Sequence, residues 1–215
     1  MSAISATKKD IIEACRRLHT LGLVAATTDG NVSARLDDGT ILITPSGVAK
    51  EDVKEEQLIR IDMDNNVVEG SLKPSTETLM HIEAYRQRPD VRGVVHAHPP
   101  VATAFSIAGI SIEAPVMPEV VVHFRKIPTA KYATAASIEN AETIRELVRE
   151  HDIIILDHHG ALTVGGDVMT AHQRMEKLEH VARTLWAART LGPVRTLKPE
   201  QVEKLVELRR RIYGK

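Results

Sequence analysis

Two histidines separated by one residue, His96-x-His98, form the feature of this sequence that points most clearly to chemistry. The apolar run from Val91 predicts a short strand that ends at His96, and Pro99 prevents its simple continuation. Because side chains at positions i and i+2 of a strand point to the same face, the two imidazoles would lie side by side at an edge of a sheet. Imidazole is a common ligand of zinc and related metals, so the pair predicts part of a metal site, although two surface histidines would show the same spacing.

A third ligand is expected from the next histidine pair, His158 and His159, which follows an apolar strand predicted over 152–156. Gly160 marks a turn after them, and adjacent residues of an extended chain point in opposite directions, so only one of the two would join the site. The pattern leaves open which one. Three histidines and an open position are typical of catalytic zinc sites. Ten histidines against a single cysteine, Cys15, also favour nitrogen and oxygen ligands over sulfur.

A carboxylate suited to such a metal lies in the segment Lys73-Pro-Ser-Thr-Glu77. The segment is typical of a helix start, where Ser75 and Thr76 would expose hydroxyls and unpaired backbone N–H groups that favour an anion such as phosphate. Glu77 fits an ordinary capping carboxylate, but beside a metal it could instead move protons or act as a fourth ligand. His81, one turn later, is a weaker candidate ligand.

Two further segments, 29–35 and 44–47, combine tight turns with small hydroxyl or amide side chains. Backbone N–H groups in such turns can hold a phosphate without cationic side chains. Neither segment ends in the Gly-Lys-Ser/Thr of a P-loop, so each also fits an ordinary turn. Both are therefore candidate anion-binding loops.

The elements that would position these residues are helices alternating with short strands. Periodic apolar residues predict helices at about 7–21, 76–88, 101–108, 137–149, 167–191 and 199–213. Apolar runs predict hairpins over 31–44 and 58–69, strands at 91–96, 152–156 and 161–164, and short strands between Pro115 and Pro128. Tight turns between several strands favour antiparallel pairs, so we expect an α/β fold with a mixed sheet between helical layers.

Composition narrows the class of protein. The 215 residues, 43% of them hydrophobic and 27% charged, are typical of a globular chain, and no repeat or linker divides them. A net charge of −1 argues against a nucleic-acid partner. No apolar run approaches the roughly 20 residues that cross a bilayer, and the N-terminus has no secretory signal, so no membrane partner is expected. A single cysteine suits a reducing cytoplasm.

Five motifs occur in the same order and with the same spacing as in a known family. They are Gly30-Asn31-x-Ser33-x-Arg35, Thr44-Pro-Ser-Gly47, Pro74-Ser-Thr-Glu77, His96-x-His98-Pro99 and His159-Gly160. From about residue 7 to 192 the sequence resembles the class II aldolase/adducin family, in its branch of L-fuculose-phosphate aldolase-like enzymes. The resemblance implies a three-layer α/β/α sandwich with a mixed, mostly antiparallel central sheet. It also implies one domain over 1–192, followed by a C-terminal helical tail over 193–215.

The resemblance implies a role for each matched residue. His96, His98 and His159 would be the metal ligands, which selects His159 over His158. Glu77 matches the catalytic acid/base, which can also contact the metal. The implied cofactor is Zn²⁺, with Mn²⁺, Co²⁺ or Fe²⁺ as alternatives. The matched phosphate-binding positions are Gly30, Asn31, Ser46, Gly47, Ser75 and Thr76.

The implied activity is reversible cleavage of a phosphorylated sugar, a ketose 1-phosphate such as L-fuculose 1-phosphate, to dihydroxyacetone phosphate and an aldehyde. The implied assembly is a homotetramer with active sites at the subunit interfaces. Two other functions stay open: a decarboxylase or dehydratase that uses the same metal site on a phosphorylated sugar or oxo-acid, and a non-catalytic adducin-like interaction module. Adducins do not keep the metal ligands, whereas this chain keeps all three histidines.

Differences from the family pattern bear on the substrate. The related pentulose-phosphate 4-epimerases carry aspartate at the position of Glu77, which argues against epimerisation. In the fuculose-phosphate enzymes a tyrosine from the neighbouring subunit helps to protonate the substrate, and its position falls near Glu119 here. Tyr213 is a candidate for a second, tail tyrosine of the same enzymes. The pattern therefore leaves the distal part of the substrate open.

Overall fold

A computed structural model describes residues 3–25, 28–124 and 126–213. Its strands are β1 (Asn31–Arg35), β2 (Ile41–Ile43), β3 (Ile59–Ile61), β4 (Val67–Glu69), β5 (Gly93–Ala97), β6 (Thr129–Ala130), β7 (Ile153–Leu156) and β8 (Gly160–Gly165). They form an eight-stranded sheet in the order β4-β3-β2-β1-β5-β8-β7-β6. Neighbouring strands pair antiparallel, except for the parallel pair β6 and β7.

Helices cover both faces of this sheet. The α-helices in the described residues are α1 (Ala3–Thr20), α2 (Thr78–Gln87), α3 (Pro100–Ile107), α4 (Ile138–Glu150), α5 (Val168–Leu191) and α6 (Pro199–Tyr213). Helices α1, α3 and α5 share one hydrophobic core with the sheet, and α2 and α4 share the other. This three-layer α/β/α sandwich with a mixed, mostly antiparallel sheet confirms the predicted fold class.

Side-chain alternation along the strands explains why two helical layers are needed. In β7, Ile153 and Ile155 point into the core with α1, α3 and α5, while Ile154 and Leu156 point into the core with α2 and α4. All four side chains are buried. A strand that is apolar on both faces must be covered on both faces, which is why the continuous apolar run predicted a buried strand.

The segment between Pro115 and Pro128 differs from the prediction of short strands. Val120–Phe124 forms a π-helix, and the two-residue strand β6 begins only at Thr129. Four of the five π-helical side chains are buried, and the segment packs against α6. A short apolar run does not by itself distinguish a strand from a buried helical turn, because both bury consecutive apolar residues.

The last helix, α6, packs against this π-helical segment. The guanidinium of Arg209 donates to the carbonyl oxygen of Val122 at 2.7 Å, and the hydroxyl of Tyr213 lies 2.7 Å from Nδ1 of His123. Neither α6 nor any other helix in the described ranges is long and apolar enough to cross a membrane.

Candidate metal centre

Antiparallel pairing brings the ends of three central strands to one edge of the sheet. Strand β5 lies between β1 and β8, with His96 opposite Asn31 on one side and Leu162 on the other. The end of β5 therefore meets the starts of β1 and β8. His98 directly follows β5 and His159 directly precedes β8. Histidines that are distant in sequence thus share this edge.

The three imidazoles form one cluster. Their ring centroids lie 4.8 to 5.0 Å apart, and one nitrogen each of His96, His98 and His159 lies within 4.8 Å of the others. The Nε2 atoms of His96 and His98 are 3.1 Å apart. His158, by contrast, is exposed and bonds to Asp157. The structure therefore brings together the three histidines that the resemblance selected and leaves His158 outside.

The hydrogen bonds of His96 determine which of its nitrogens faces the cluster. Its Nδ1 lies 2.9 Å from the carbonyl oxygen of Ala161, which can only accept, so Nδ1–H donates. In the neutral ring Nε2 then carries the lone pair, and this atom faces His98 and Glu77. A carbonyl partner of this kind fixes the tautomer and orientation of metal-binding histidines.

Glu77 adds a carboxylate to the cluster. Its Oε2 lies 3.1 Å from Nε2 of His96 and accepts a hydrogen bond of 2.9 Å from the Asn31 amide. Its Oε1 lies 3.3 Å from Nε2 of His159 and is buried without a hydrogen-bond partner in the described chain. A buried carboxylate oxygen without a donor is costly, and a cation among the imidazoles would satisfy it.

Glu77 and the neighbouring imidazoles shift one another's pKa values. Burial raises the pKa of Glu77, but the positive charge of His96 and hydrogen bonds from His96 and Asn31 outweigh burial and hold that pKa far below its ordinary value. Burial lowers the pKa of His96, but Glu77, the Ala161 carbonyl and the charge of Asp29 together outweigh burial and raise that pKa above its ordinary value. Burial and the neighbouring imidazoles lower the pKa of His98 to about 4. A metal ion can bind Nε2 of His96 only when that nitrogen is unprotonated, so protons would compete with a metal for this site.

The donor set fits a divalent transition-metal ion. Three imidazole nitrogens and one carboxylate are ligands typical of Zn²⁺, and they also suit Mn²⁺, Co²⁺ and Fe²⁺. Nε2 of His96 lies 3.1 Å from both Nε2 of His98 and Oε2 of Glu77, so unprotonated rings would direct their lone pairs at one another and at the carboxylate unless a cation lay between them. Three histidine ligands leave a coordination position for a substrate.

A cavity of about 230 Å³ opens beside the histidines. No lysine or arginine of the described chain lines it, so an anion would be held by hydroxyls, backbone N–H groups and a metal. Glu77, His98 and His159 form one part of its wall. Another part contains all six residues predicted to bind phosphate: Gly30, Asn31, Ser46, Gly47, Ser75 and Thr76.

Backbone hydrogen bonds join the two hydroxyl-rich loops of this cavity. Ser46 N–H donates to the carbonyl of Lys73 at 2.9 Å, and Ser75 N–H donates to the carbonyl of Thr44 at 3.2 Å. These two N–H groups are therefore used within the protein. The Ser75 hydroxyl accepts from the N–H of Glu77 at 3.3 Å and keeps its own hydrogen for a ligand. At Ser46 and Ser75 the groups that face a ligand are thus the hydroxyls.

Lys50 is a residue of this region that the sequence analysis missed. It is 2% exposed, and its Nζ donates to the carbonyl oxygens of Thr28 and Val48, each at 3.1 Å. It therefore ties the loop before Gly30 to the loop after Gly47. Lysine is among the residues least often buried, so the residue type did not predict a buried side chain at this position.

Gly160 sets the distance between the strands that carry His98 and His159. A Cβ at this position would lie 2.4 Å from the carbonyl oxygen of Ala97 and 2.8 Å from the His98 ring. We therefore expect Gly160→Ala to displace His98, to weaken metal binding by about 10-fold or more, and to lower the free energy of unfolding by about 1–3 kcal/mol.

Competition with a chromophoric chelator measures the effect of Gly160→Ala on metal affinity. Gly166→Ala is the matched control, because a Cβ at Gly166 would meet no atom within 4 Å. Equal metal affinities in the two variants would contradict this interpretation of Gly160.

Other residues considered from the sequence lie outside the cluster. His81 is not part of it, and both of its ring nitrogens bond to other residues, so its candidacy as a metal ligand is wrong. His123 lies in the π-helix and bonds to Tyr213. Neither Glu119 nor Tyr213 lines the 230 Å³ cavity. Their expected roles concern a neighbouring subunit and stay predictions.

Comparison with known proteins identifies the family of this chain. The family profile described as "Class II Aldolase and Adducin N-terminal domain" matches residues 9–186. This chain belongs to the class II aldolase and adducin family. Among curated members, the L-fuculose phosphate aldolase of Methanocaldococcus jannaschii is 34% identical over 176 residues, which make up 82% of this chain and 93% of that relative.

Other members of the family broaden the range of reactions. The L-ribulose-5-phosphate 4-epimerase UlaF of Salmonella paratyphi B is 34% identical over 193 residues, with 84% of each chain covered. A solved structure of an L-fuculose 1-phosphate aldolase matches with a TM-score of 0.87 at 27% identity and covers 97% of both chains. The chain is therefore an enzyme of the class II aldolase/epimerase superfamily, and its similarity to aldolases and epimerases is comparable.

Proposed function

We propose that this family member is a metal-dependent aldehyde-lyase that reversibly cleaves a ketose 1-phosphate, of the L-fuculose 1-phosphate type, to dihydroxyacetone phosphate and an aldehyde. The observation that carries the proposal is the position of Glu77, which lies against His96 and His159 on the wall of the hydroxyl-lined cavity. A proton-transfer group, a metal-ligand set and an anion-binding wall thus meet at one place. Metal-assisted cleavage of a phosphorylated ketose uses all three: the metal stabilises the charge, the acid/base moves the proton and the wall orients the phosphate.

The hydroxyl-lined wall would bind the substrate phosphate. Ser46, Ser75 and Thr76 offer side-chain donors there, and Gly47 lets the backbone approach at its φ of 75°. Because the same cavity is bounded by His98 and His159, a phosphate held on this wall places C2 and C3 of the sugar toward the histidines. Such orientation lowers the entropic part of the barrier.

Cleavage breaks the C3–C4 bond of the ketose. The C4 hydroxyl loses its proton and becomes the aldehyde carbonyl, while the bonding electron pair passes to C3 and is delocalised onto the C2 oxygen. A divalent cation on His96, His98 and His159 supplies Lewis-acid stabilisation of this charge when bound. In the condensation direction the ionised Glu77 takes a proton from C3 of dihydroxyacetone phosphate, and in the cleavage direction the protonated Glu77 returns that proton to C3. The low pKa of Glu77 keeps it ionised in the resting site, as a base must be.

A product assay with purified, metal-loaded protein tests this proposal. The panel contains L-fuculose 1-phosphate, other ketose 1-phosphates, L-ribulose 5-phosphate and phosphorylated oxo-acids. We expect dihydroxyacetone phosphate from a ketose 1-phosphate, loss of this product after chelation, and its return with Zn²⁺ or another divalent metal. Epimerised pentulose phosphate, water loss or CO₂ release without dihydroxyacetone phosphate would contradict it. Absence of both tight metal and turnover would favour the adducin-like module.

The Thr76 hydroxyl provides a test of the phosphate wall. Thr76→Val keeps the shape of the side chain and removes one neutral donor, so we expect KM for the phosphorylated substrate to rise by about 5-fold with little change in kcat. Thr129→Val, in the edge strand β6 and outside the cavity, is the control. Unchanged KM in the Thr76 variant would remove this residue from the binding wall.

We also propose that the enzyme is a cytoplasmic homotetramer with active sites at its interfaces. None of the described residues that line the cavity is a tyrosine, so the group that takes the C4 hydroxyl proton in cleavage and returns it to the aldehyde oxygen in condensation would come from a neighbouring subunit, near Glu119 or from Tyr213. Light scattering is expected to give four times the chain mass of 23.7 kDa. A fully active monomer would contradict the interface site.

A further inference from the structure

A continuous chain of hydrogen bonds runs from the core to Glu77. The Asn31 amide nitrogen lies 2.9 Å from Oε2 of Glu77, and the Asn31 amide oxygen lies 2.5 Å from Nε2 of His81. Nδ1 of His81 lies 2.6 Å from Oγ of Ser33, which lies 2.8 Å from the hydroxyl of Tyr85. His81 is thus the link between the core hydroxyls and the Asn31 amide.

The spacing of these residues places them on two facing elements. Asn31 and Ser33 are two positions apart in β1 and share one face of the strand. His81 and Tyr85 are four positions apart in α2 and share one face of the helix. Asn31, Ser33, His81 and Tyr85 are all at most 3% exposed, so water does not compete for these bonds.

The donor and the acceptor of each hydrogen bond in this series can be assigned in order, starting from the Glu77 carboxylate. The Asn31 NH₂ group donates to Oε2 of Glu77, and the Asn31 amide oxygen, which can only accept, faces His81. Nε2 of His81 must then donate. Burial lowers the pKa of His81 to about 3, so the ring is neutral and its Nδ1 accepts from the Ser33 hydroxyl. The Ser33 oxygen remains to accept from the hydroxyl of Tyr85.

We propose that His81 is a positioning residue for Glu77 and acts through Asn31. In its Nε2–H tautomer His81 holds the Asn31 amide in the one orientation that donates to Glu77. The reversed amide would place its carbonyl oxygen against the carboxylate and its NH₂ group against a ring N–H, and both contacts are repulsive. This inference rests on the proposed proton-transfer role of Glu77. It explains why a polar ring lies in an otherwise apolar core.

Two substitutions of His81 distinguish a role in positioning Asn31 from a role in core packing alone. His81→Leu keeps an apolar side chain in the site but removes the donor to Asn31, whereas His81→Gln keeps an N–H donor near the position of Nε2. We expect His81→Leu to lower kcat by about 10- to 30-fold with KM and metal content unchanged, and His81→Gln to recover activity to within about 3-fold of the unmodified enzyme. Unchanged kcat in the leucine variant, or equal losses in both variants together with loss of metal, would overturn the proposal.

NMR of metal-loaded protein labelled with ¹⁵N in histidine and asparagine tests the arrangement without reference to turnover. We expect His81 as the Nε2–H tautomer and slow solvent exchange of the Asn31 side-chain amide, with exchange at least about 10-fold faster in His81→Leu. An Nδ1–H or doubly protonated His81, or equal exchange in both proteins, would overturn the proposal. Because these signals do not depend on the reaction catalysed, failure of the proposed aldolase activity is distinguishable from failure of this inference.

Discussion

His96→Ala is expected to abolish both metal binding and activity. The imidazole of His96 is fully buried, is oriented by the Ala161 carbonyl and contacts both His98 and Glu77, so its removal takes away the central ligand of the cluster. Loss of about 4 kcal/mol of transition-state stabilisation corresponds to about a 10³-fold loss of turnover. Elemental analysis of the purified protein, together with the cleavage assay, measures both effects.

His158→Asn is the control for His96→Ala. His158 directly precedes His159 but is exposed, bonds to Asp157 and has a φ of 56°, a conformation that asparagine tolerates. We expect this variant to keep one metal ion per chain and near-normal activity. Full metal content in His96→Ala, or loss of metal in His158→Asn, would contradict the ligand assignment.

Glu77→Gln is expected to separate metal binding from catalysis. Glutamine has nearly the same shape, and its oxygen can still accept from Asn31, but it cannot hold or transfer a proton at C3. We therefore expect turnover to fall by about 10²- to 10⁴-fold while the three histidines keep the metal. Single-turnover cleavage and metal analysis on the same preparation measure the two quantities.

Glu113→Gln makes the same chemical change at an exposed position outside the cavity and should leave turnover unchanged. Proton exchange at C3 of dihydroxyacetone phosphate, followed in D₂O, isolates the step assigned to Glu77. Normal exchange in Glu77→Gln would assign proton transfer to another group. Loss of metal in that variant would show that Glu77 acts mainly as a ligand.

Local pattern was sufficient to predict the strands that carry the site. The apolar runs before His96 and His158 predicted β5 and β7, because strands covered by helices on both faces need continuous apolar sequence. The i, i+2 spacing of His96 and His98 placed both imidazoles at the end of one strand. The choice between His158 and His159 did not follow from local pattern, because it depends on how the chain turns into β8. The family resemblance supplied that choice.

Other features depend on packing between distant segments and gave no local signal. The roles of His81 and Lys50 are set by residues 50 and 22 positions away, namely Asn31 and Thr28. The apolar residues of Val120–Phe124 predicted a strand. In the structure they form a π-helix, which also buries most of these side chains and packs against α6. Tertiary contacts of this kind override local preference.

The most direct test of the account is a crystal structure of the protein with its native metal, with data collected on both sides of the metal absorption edge. We predict a single anomalous peak about 2.0–2.2 Å from Nε2 of each of His96, His98 and His159. A peak bound by other residues, or no peak among these three rings in protein that cleaves a ketose 1-phosphate, would contradict the account.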